Sequence, residues 1–337
     1  MTALLEVRGL KTWFDTPAGT AKAVDGVDLI VERGETLALV GESGSGKSVT
    51  AASLLRLVAP PGRIVAGEVL LDGIDLLKLD ARSLRSVRGG RVGMVFQDLS
   101  ALNPVETIGA QIAEAVRLHA PTVTRRAAWA RAVELLDRVR MPSPAARAQD
   151  VPHRLSGGMR QRALIALALA CGPELLIADE PTTALDVTTQ AQILALLAEL
   201  QAEAGMGLLL ITHDLGVVAQ AADRAAVMYA GRVVETALTE QLFKAPQHPY
   251  TAGLIQAVSL SRVAPGTRLP EIGGMVPSLH ALPPGCAFAP RCERSVHACT
   301  QTAPTLASHG TPGQLSACVL PLSSRVIPIR QAQRQAA

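Results

Sequence analysis

Aromatic side chains make up only 2% of this 337-residue chain, too few for the row of flat rings on which a nucleic-acid platform stacks bases. Charge is scarce as well. Charged residues are 18% of the total and the formal net charge is +3, so bulk electrostatics implies no nucleic-acid partner. Long apolar runs are missing: the densest, Ala163 to Cys171, stops at Gly172-Pro173, well short of the roughly 20 residues of a spanning helix. The start, Met1 to Arg8, lacks the basic opening and long apolar core of a signal peptide. A cytoplasmic chain is expected, and any work at a membrane would need spanning helices from other subunits. What is present is 48% hydrophobic residues, the composition of a folded protein, over a length that allows two domains with cores of their own.

One stretch organises the rest. Gly41-Glu42-Ser43-Gly44-Ser45-Gly46-Lys47-Ser48 reads GxxxxGK[ST], and it lies between an apolar strand pattern, Thr36 to Val40, and a segment from Ser48 to Leu55 that can start a helix. The glycines let backbone N–H groups and a helix N-terminus approach phosphate oxygens. Lys47 can reach the β and γ phosphates, and Ser48 can ligate Mg²⁺. The pattern is specific for a nucleoside triphosphate and silent on what its energy drives.

Upstream, Leu4 to Ile30 alternates in short apolar segments broken at Asp15 to Gly19 and at Asp25-Gly26, the pattern of a strand hairpin. Trp13 and Phe14 are the nearest aromatic surfaces for an adenine, or else ordinary packing. Downstream, short strands run from Gly67 to Leu71 and from Arg91 to Phe96, the second ending in Gln97, where α/β sheets bind ligands. From Asn103 to about Arg140 alanine-rich sequence with helical apolar spacing predicts an inserted helical subdomain. Leu155-Ser156-Gly157-Gly158-Met159-Arg160-Gln161-Arg162 then opens a strong helix. Its serine and glycines make either a second anion site or a plain helix cap.

The strand Glu174 to Ala178 runs into Asp179-Glu180-Pro181, and Leu208 to Thr212 runs into His213-Asp214, with Ala184-Leu185-Asp186 in a turn between them. Beside a phosphate loop, Asp179 can hold the Mg²⁺ shell and Glu180 can polarise an attacking water. A lone strand-end histidine is more often structural. Three successive strands ending in Gln97, Asp179-Glu180 and His213 favour one site.

Four of five cysteines, Cys286, Cys292, Cys299 and Cys318, fall in the Pro- and Gly-rich region after about Lys244. A reducing cytoplasm disfavours disulfides. The spacings lack the paired CxxC of a zinc ribbon, which leaves unligated thiols, zinc and iron–sulfur open. Cys171, before Gly172-Pro173, is read as a packed thiol.

In their order, the phosphate loop, Gln97, the Ser156-Gly157-Gly158 segment, the acidic pair, the Ala184-Leu185-Asp186 turn and His213 resemble the nucleotide-binding subunits of ATP-binding cassette transporters. Val95-Phe96-Gln97-Asp98 leading to Leu102-Asn103-Pro104, Ser156 to Arg162, and His248-Pro249-Tyr250-Thr251 narrow the likeness to dipeptide and oligopeptide importers. It covers essentially the whole chain. The implied fold is α/β: an ABC-type P-loop ATPase core, 1–245, with a mixed sheet, an antiparallel β subdomain and a helical subdomain at about 98–165. A small loop-rich C-terminal extension occupies 246–337.

The resemblance implies that two such domains sandwich ATP head to tail, each nucleotide lying between one phosphate loop and the partner's Ser156-type segment. Nucleotide-binding residues would be Phe14, the better match to the adenine-stacking position, Gly41, Ser43, Gly44, Ser45, Gly46, Lys47, Ser48 and Val49, with Ser156, Gly157, Gly158 and Asp186. Glu180 is implied as general base, His213 as a γ-phosphate contact, and Gln97, Ser48 and Asp179 as the Mg²⁺ set. Met159 replaces the glutamine of the commonest signature, a change frequent in the peptide branch. The segment Leu282 to Cys292 resembles an extension in which four cysteines hold a [4Fe–4S] cluster in some members. Implied partners are two transmembrane permeases, a second ATP-binding subunit, identical or related, and indirectly an extracytoplasmic substrate-binding protein. The chain would sit peripherally on the cytoplasmic face of the inner membrane. A nickel or other small-solute importer is the alternative within this branch, and a soluble cassette ATPase acting on ribosomes or DNA the alternative outside it.

Overall fold

The structure is a computed structural model that describes residues 3–98, 101–183, 185–258 and 271–322. Its centre is a run of short apolar strands, Thr36–Val40, Leu175–Asp179 and Gly207–Thr212, in which every residue is buried. Strands with no polar face need cover on both sides, which is the condition of a parallel sheet between two layers. Alternation decides which layer each side chain meets. Leu37, Leu39, Ile177, Leu209 and Ile211 pack towards an antiparallel sheet on one side, while Leu176, Ala178, Leu208 and Leu210 pack towards helices on the other.

The main sheet has eight strands among the described residues, in the order 307–308, 315–316, 232–238, 224–229, 36–40, 207–212, 175–179, 92–95. The last five are mutually parallel and the first four join antiparallel, so the sheet is mixed, as expected. The second sheet, in the order 19–32, 3–16, 62–71, 74–75, is antiparallel throughout. Asp25-Gly26, read above as a break, does not end its strand. Gly26 takes φ +86° and is skipped where the register passes from Leu10↔Val27 to Lys11↔Asp25, a bulge that bends the strand without stopping it.

The helical subdomain is built of Ile108–His119, Arg125–Arg138 and the short Pro144–Arg147. Thr107 and Thr124 cap the first two, each hydroxyl accepting a backbone N–H three residues on, the usual way to satisfy an orphan donor of the first turn. Ile108, Ile112, Ala128, Ala132, Leu135 and Leu136 form its buried face and merge with the core beneath Leu164 and Ile165.

The C-terminal region is tied into the cassette. Leu315–Ser316 adds to the edge of Arg232–Leu238, pairing Glu235↔Ser316 and Thr236↔Leu315. Glu235, fully buried, accepts hydrogen bonds from Gln247 N at 2.7 Å, His248 N at 2.8 Å and Gln314 Nε2 at 2.8 Å. One carboxylate thereby holds the turn before the helix Pro249–Val258 and a second segment nearly eighty residues on. Burial raises its pKa, against the opposing pull of these donors. Glu235→Gln, which turns one acceptor into a donor facing N–H groups, is expected to lower unfolding free energy by about 1–3 kcal/mol, and Glu235→Ala by more; chemical denaturation of the full chain measures both.

Candidate functional site

The phosphate loop starts where the strand Thr36–Val40 ends and the helix Lys47–Leu54 begins. Two glycines there are required by space and conformation. A Cβ on Gly41 would lie 2.1 Å from Met228 O, and one on Gly46, at φ +105°, 2.2 Å from Ala23 O. Lys47 is buried and curls over the loop, donating to Gly41 O at 2.8 Å and Glu42 O at 3.0 Å. Burial pulls its ammonium below the usual range, opposed by the charges of Glu180, Asp179 and Glu42. Ser45 Oγ is buried without a hydrogen-bond partner, a donor that a phosphate oxygen would satisfy. Ser43 and Gly44 are exposed at the loop tip, and Val49 packs on the core behind it.

The acidic pair meets this loop. Ser48 Oγ donates to Asp179 Oδ1 at 3.1 Å. Burial, reinforced by the Glu180 charge, raises the Asp179 pKa, and Ser48 and Lys47 oppose that shift. A hydroxyl and a buried carboxylate at this distance are a donor set that fits Mg²⁺, a hard cation bound through few protein oxygens and otherwise water and phosphate. Glu180 follows at φ +48°, a left-handed conformation that costs a non-glycine residue energy and is concentrated at working sites. Its Oε2 accepts from Gln97 Nε2 at 3.1 Å and Thr183 Oγ1 at 2.8 Å, and its Oε1 lies 3.1 Å from His213 Nδ1. Burial raises the Glu180 carboxyl, but the hydrogen bonds from Thr183 and His213 and the charges of His213 and Lys47 outweigh it, holding it below the ordinary range. The three strand ends picked from sequence therefore form one connected cluster, to which Thr183 adds a hydroxyl that strand-end reasoning missed.

Other expected residues stand apart from it. Ser156 caps the helix Gly157–Ala168 through Met159 N at 3.4 Å. No hydrogen bond or ion pair among the described residues joins Ser156, Gly157 or Gly158 to the phosphate loop. Asp186 caps Val187–Ala204, accepting from Thr189 N at 2.9 Å and Thr189 Oγ1 at 2.7 Å. Thr189 in turn sits against Gly158, where an added Cβ would come within 2.8 Å. The serine–glycine segment and Asp186 are thus one local unit; Ala184 lies outside the described residues. Phe14 stands over Gly62, whose Cβ would clash with the ring at 2.5 Å, and Trp13 is covered by Lys22 Nζ at 5.1 Å from its centroid.

The four clustered cysteines are free thiols that line a single small cavity of about 20 Å³, closed by His248 and Phe288. Burial, with the neighbouring thiols, pushes Cys318 up to about 11 and raises Cys286 as well. Among the described residues no group of three or more His, Cys, Asp or Glu side chains is arranged to hold a metal ion. Four thiols about one apolar cavity match a sulfur-ligated group in donor type and number, for zinc as for a cluster, but their ligating geometry is not formed for either. Cys171 behaves as read: half-buried, it donates weakly to Ala115 O at 3.5 Å and joins the helical core.

For two residues the sequence reading gave no role at this loop. Arg291 pairs with Glu42 of the phosphate loop at 2.8 Å, and the Tyr250 hydroxyl accepts from Glu42 N at 3.0 Å. Both come from beyond residue 245, and no local pattern joins positions more than two hundred residues apart.

Known proteins with this organisation are numerous. Residues 24–183 match the ABC transporter family and residues 234–299 the oligopeptide/dipeptide transporter C-terminal region. A Brucella melitensis protein named as a peptide import ATP-binding protein is 54% identical over 317 residues, covering 90% of this chain and 94% of that one. A Sinorhizobium fredii protein named as a peptide ABC transporter ATP-binding protein is 51% identical over 317 residues, 94% of each. Among solved structures, a dimeric ATP-binding cassette in a post-hydrolysis state bound to ADP and Pi superposes with a TM-score of 0.64 at 29% identity, covering 70% of this chain and 98% of that one. Among the described residues no helix is long and apolar enough to cross a membrane. The chain belongs to the ABC transporter family, as an ATP-binding cassette carrying the oligopeptide/dipeptide transporter C-terminal region.

Proposed function

We propose that this chain binds and hydrolyses ATP to drive import of di- and oligopeptides through partner permeases, sitting peripherally on the cytoplasmic face of the membrane. The observation that carries the chemistry is the cluster of Gln97, Asp179, Glu180 and His213 at adjacent strand ends, joined to the phosphate loop through Ser48. The C-terminal region and the names of the relatives support the peptide cargo and stand against a cassette working on ribosomes or DNA.

In this reading the loop amides, Ser45 and Lys47 hold the β and γ phosphates. Ser48, Asp179 and Gln97 would hold Mg²⁺, which neutralises phosphate charge when bound. Glu180 accepts a proton from the attacking water while its oxygen bonds to the γ-phosphorus and the bond to the β–γ bridging oxygen breaks. His213 and Thr183 keep the carboxylate ionised and aimed. The unit of Ser156, Gly157, Gly158 and Asp186 makes no hydrogen bond or ion pair with its own loop among the described residues, which suits action on a nucleotide held by a second ATP-binding chain.

Glu180→Gln is expected to leave ATP binding intact and to slow hydrolysis by about 10²–10⁴-fold in the assembled transporter. Steady-state phosphate release, set beside nucleotide affinity, tests it; turnover at the wild-type rate would remove Glu180 from its role.

The cysteine cavity is read as the seat of a structural [4Fe–4S] cluster held by Cys286, Cys292, Cys299 and Cys318, a staple for a segment with little core of its own. Protein purified anaerobically is expected to carry iron and acid-labile sulfide, and Cys292→Ser to lose both and melt at a lower temperature. Iron-free wild-type protein from an anaerobic preparation would dismiss the cluster.

A further inference from the structure

The C-terminal region reaches the phosphate loop through one side chain. Arg291 ends the short helical turn Ala289–Arg291 and immediately precedes Cys292. Its side chain is 4% exposed and its guanidinium is bidentate on Glu42, Nη1 to Oε2 at 2.8 Å and Nη2 to Oε1 at 3.2 Å. The remaining donor directions are taken by Gly273 O at 2.9 Å from Nε, Ile272 O at 3.0 Å from Nη2 and the Tyr229 hydroxyl at 3.4 Å from Nη1, and the group lies 5.8 Å from the ring centres of Tyr229 and Phe288. Every donor direction is committed, so Glu42 is held where Arg291 puts it.

Glu42 is the acidic residue of the loop, and its own carbonyl accepts from Lys47 Nζ. A loose carboxylate here would repel an incoming triphosphate and compete for Lys47. A bidentate arginine neutralises that charge and fixes its direction, which a lysine cannot do with a single point of contact. Pinning a glycine-rich loop before phosphate arrives also removes an ordering cost from binding.

We infer that Arg291 is a positioning residue for the phosphate loop, through which the cysteine segment of the C-terminal region sets nucleotide affinity. The inference rests on the reading of Gly41 to Ser48 as the ATP site. The path is short: Cys286 and Cys292 bracket the turn that carries Arg291, Arg291 holds Glu42, and Glu42 holds Lys47.

The test is titration of the full chain with a fluorescent ATP analogue and Mg²⁺, paired with hydrolysis by the assembled transporter. Arg291→Gln is expected to weaken nucleotide binding about tenfold and to raise KM with little change in kcat, and Arg291→Lys to recover only part of the loss. Removing the stranded charge as well, in Glu42→Gln/Arg291→Gln, is expected to bring affinity back to within about threefold of wild type. Cys292→Ser should weaken binding in the wild-type background and leave it unchanged in the double variant. Wild-type affinity in Arg291→Gln overturns the inference alone, as does a double variant no tighter than Arg291→Gln. A wild-type chain that binds no ATP overturns the reading of the site and this inference with it.

Discussion

Burial of the central parallel strands on both faces is the constraint from which the rest follows. With no polar face, Thr36–Val40, Leu175–Asp179 and Gly207–Thr212 must be covered twice, and the two covers become the antiparallel sheet and the helical layer. Polar groups can then appear only where the strands end. Gly41, Asp179-Glu180 and His213 are in that position, which is why residues far apart in sequence come within hydrogen-bond reach without a dedicated scaffold. The same constraint gives the site its electrostatics: Lys47 and Asp179 are both buried, each is drawn toward its charged form by the other, and Ser48 adds to this for Asp179.

Most of this was legible in the sequence because its signals are local. The phosphate loop, the strand-end polar residues and the cap at Ser156 each declare themselves within a dozen residues; the structure joins the first two through Ser48 and leaves Ser156 as a helix cap with no bond to them among the described residues. The Asp25-Gly26 step was misread for the same reason. A glycine inside an alternating pattern marks a bulge or a break equally well, and only the partner strand, whose register skips Gly26, tells them apart. Thr183 was missed because it lies two residues after Pro181 in a turn, where sequence offers no periodicity to interpret. Arg291 and Tyr250 were beyond reach, since their meaning lies in contact with Glu42. The cysteines are intermediate: their clustering was visible, whereas convergence on one apolar cavity required the fold.

The placement of Asp186 ties one sequence motif to another. Its carboxylate is taken up by Thr189, and Thr189 packs on Gly158. The turn and the serine–glycine segment are therefore packed as one local unit. A unit of this kind holds a hydroxyl and the backbone amides of a helix start in a fixed relation to one another.

The pairing of Leu315–Ser316 with Arg232–Leu238 bears on how this chain behaves when it is cut or made in pieces. A fragment ending near residue 245 would retain every nucleotide-contacting motif and still expose the N–H and C=O groups of Arg232–Leu238, along with the buried Glu235 carboxylate. Unpaired strand edges are templates for association with other chains. The C-terminal region closes that edge with strands only two residues long, so it serves solubility as well as architecture, and the boundary between cassette and extension is a seam in the sequence more than a line along which the protein can be divided.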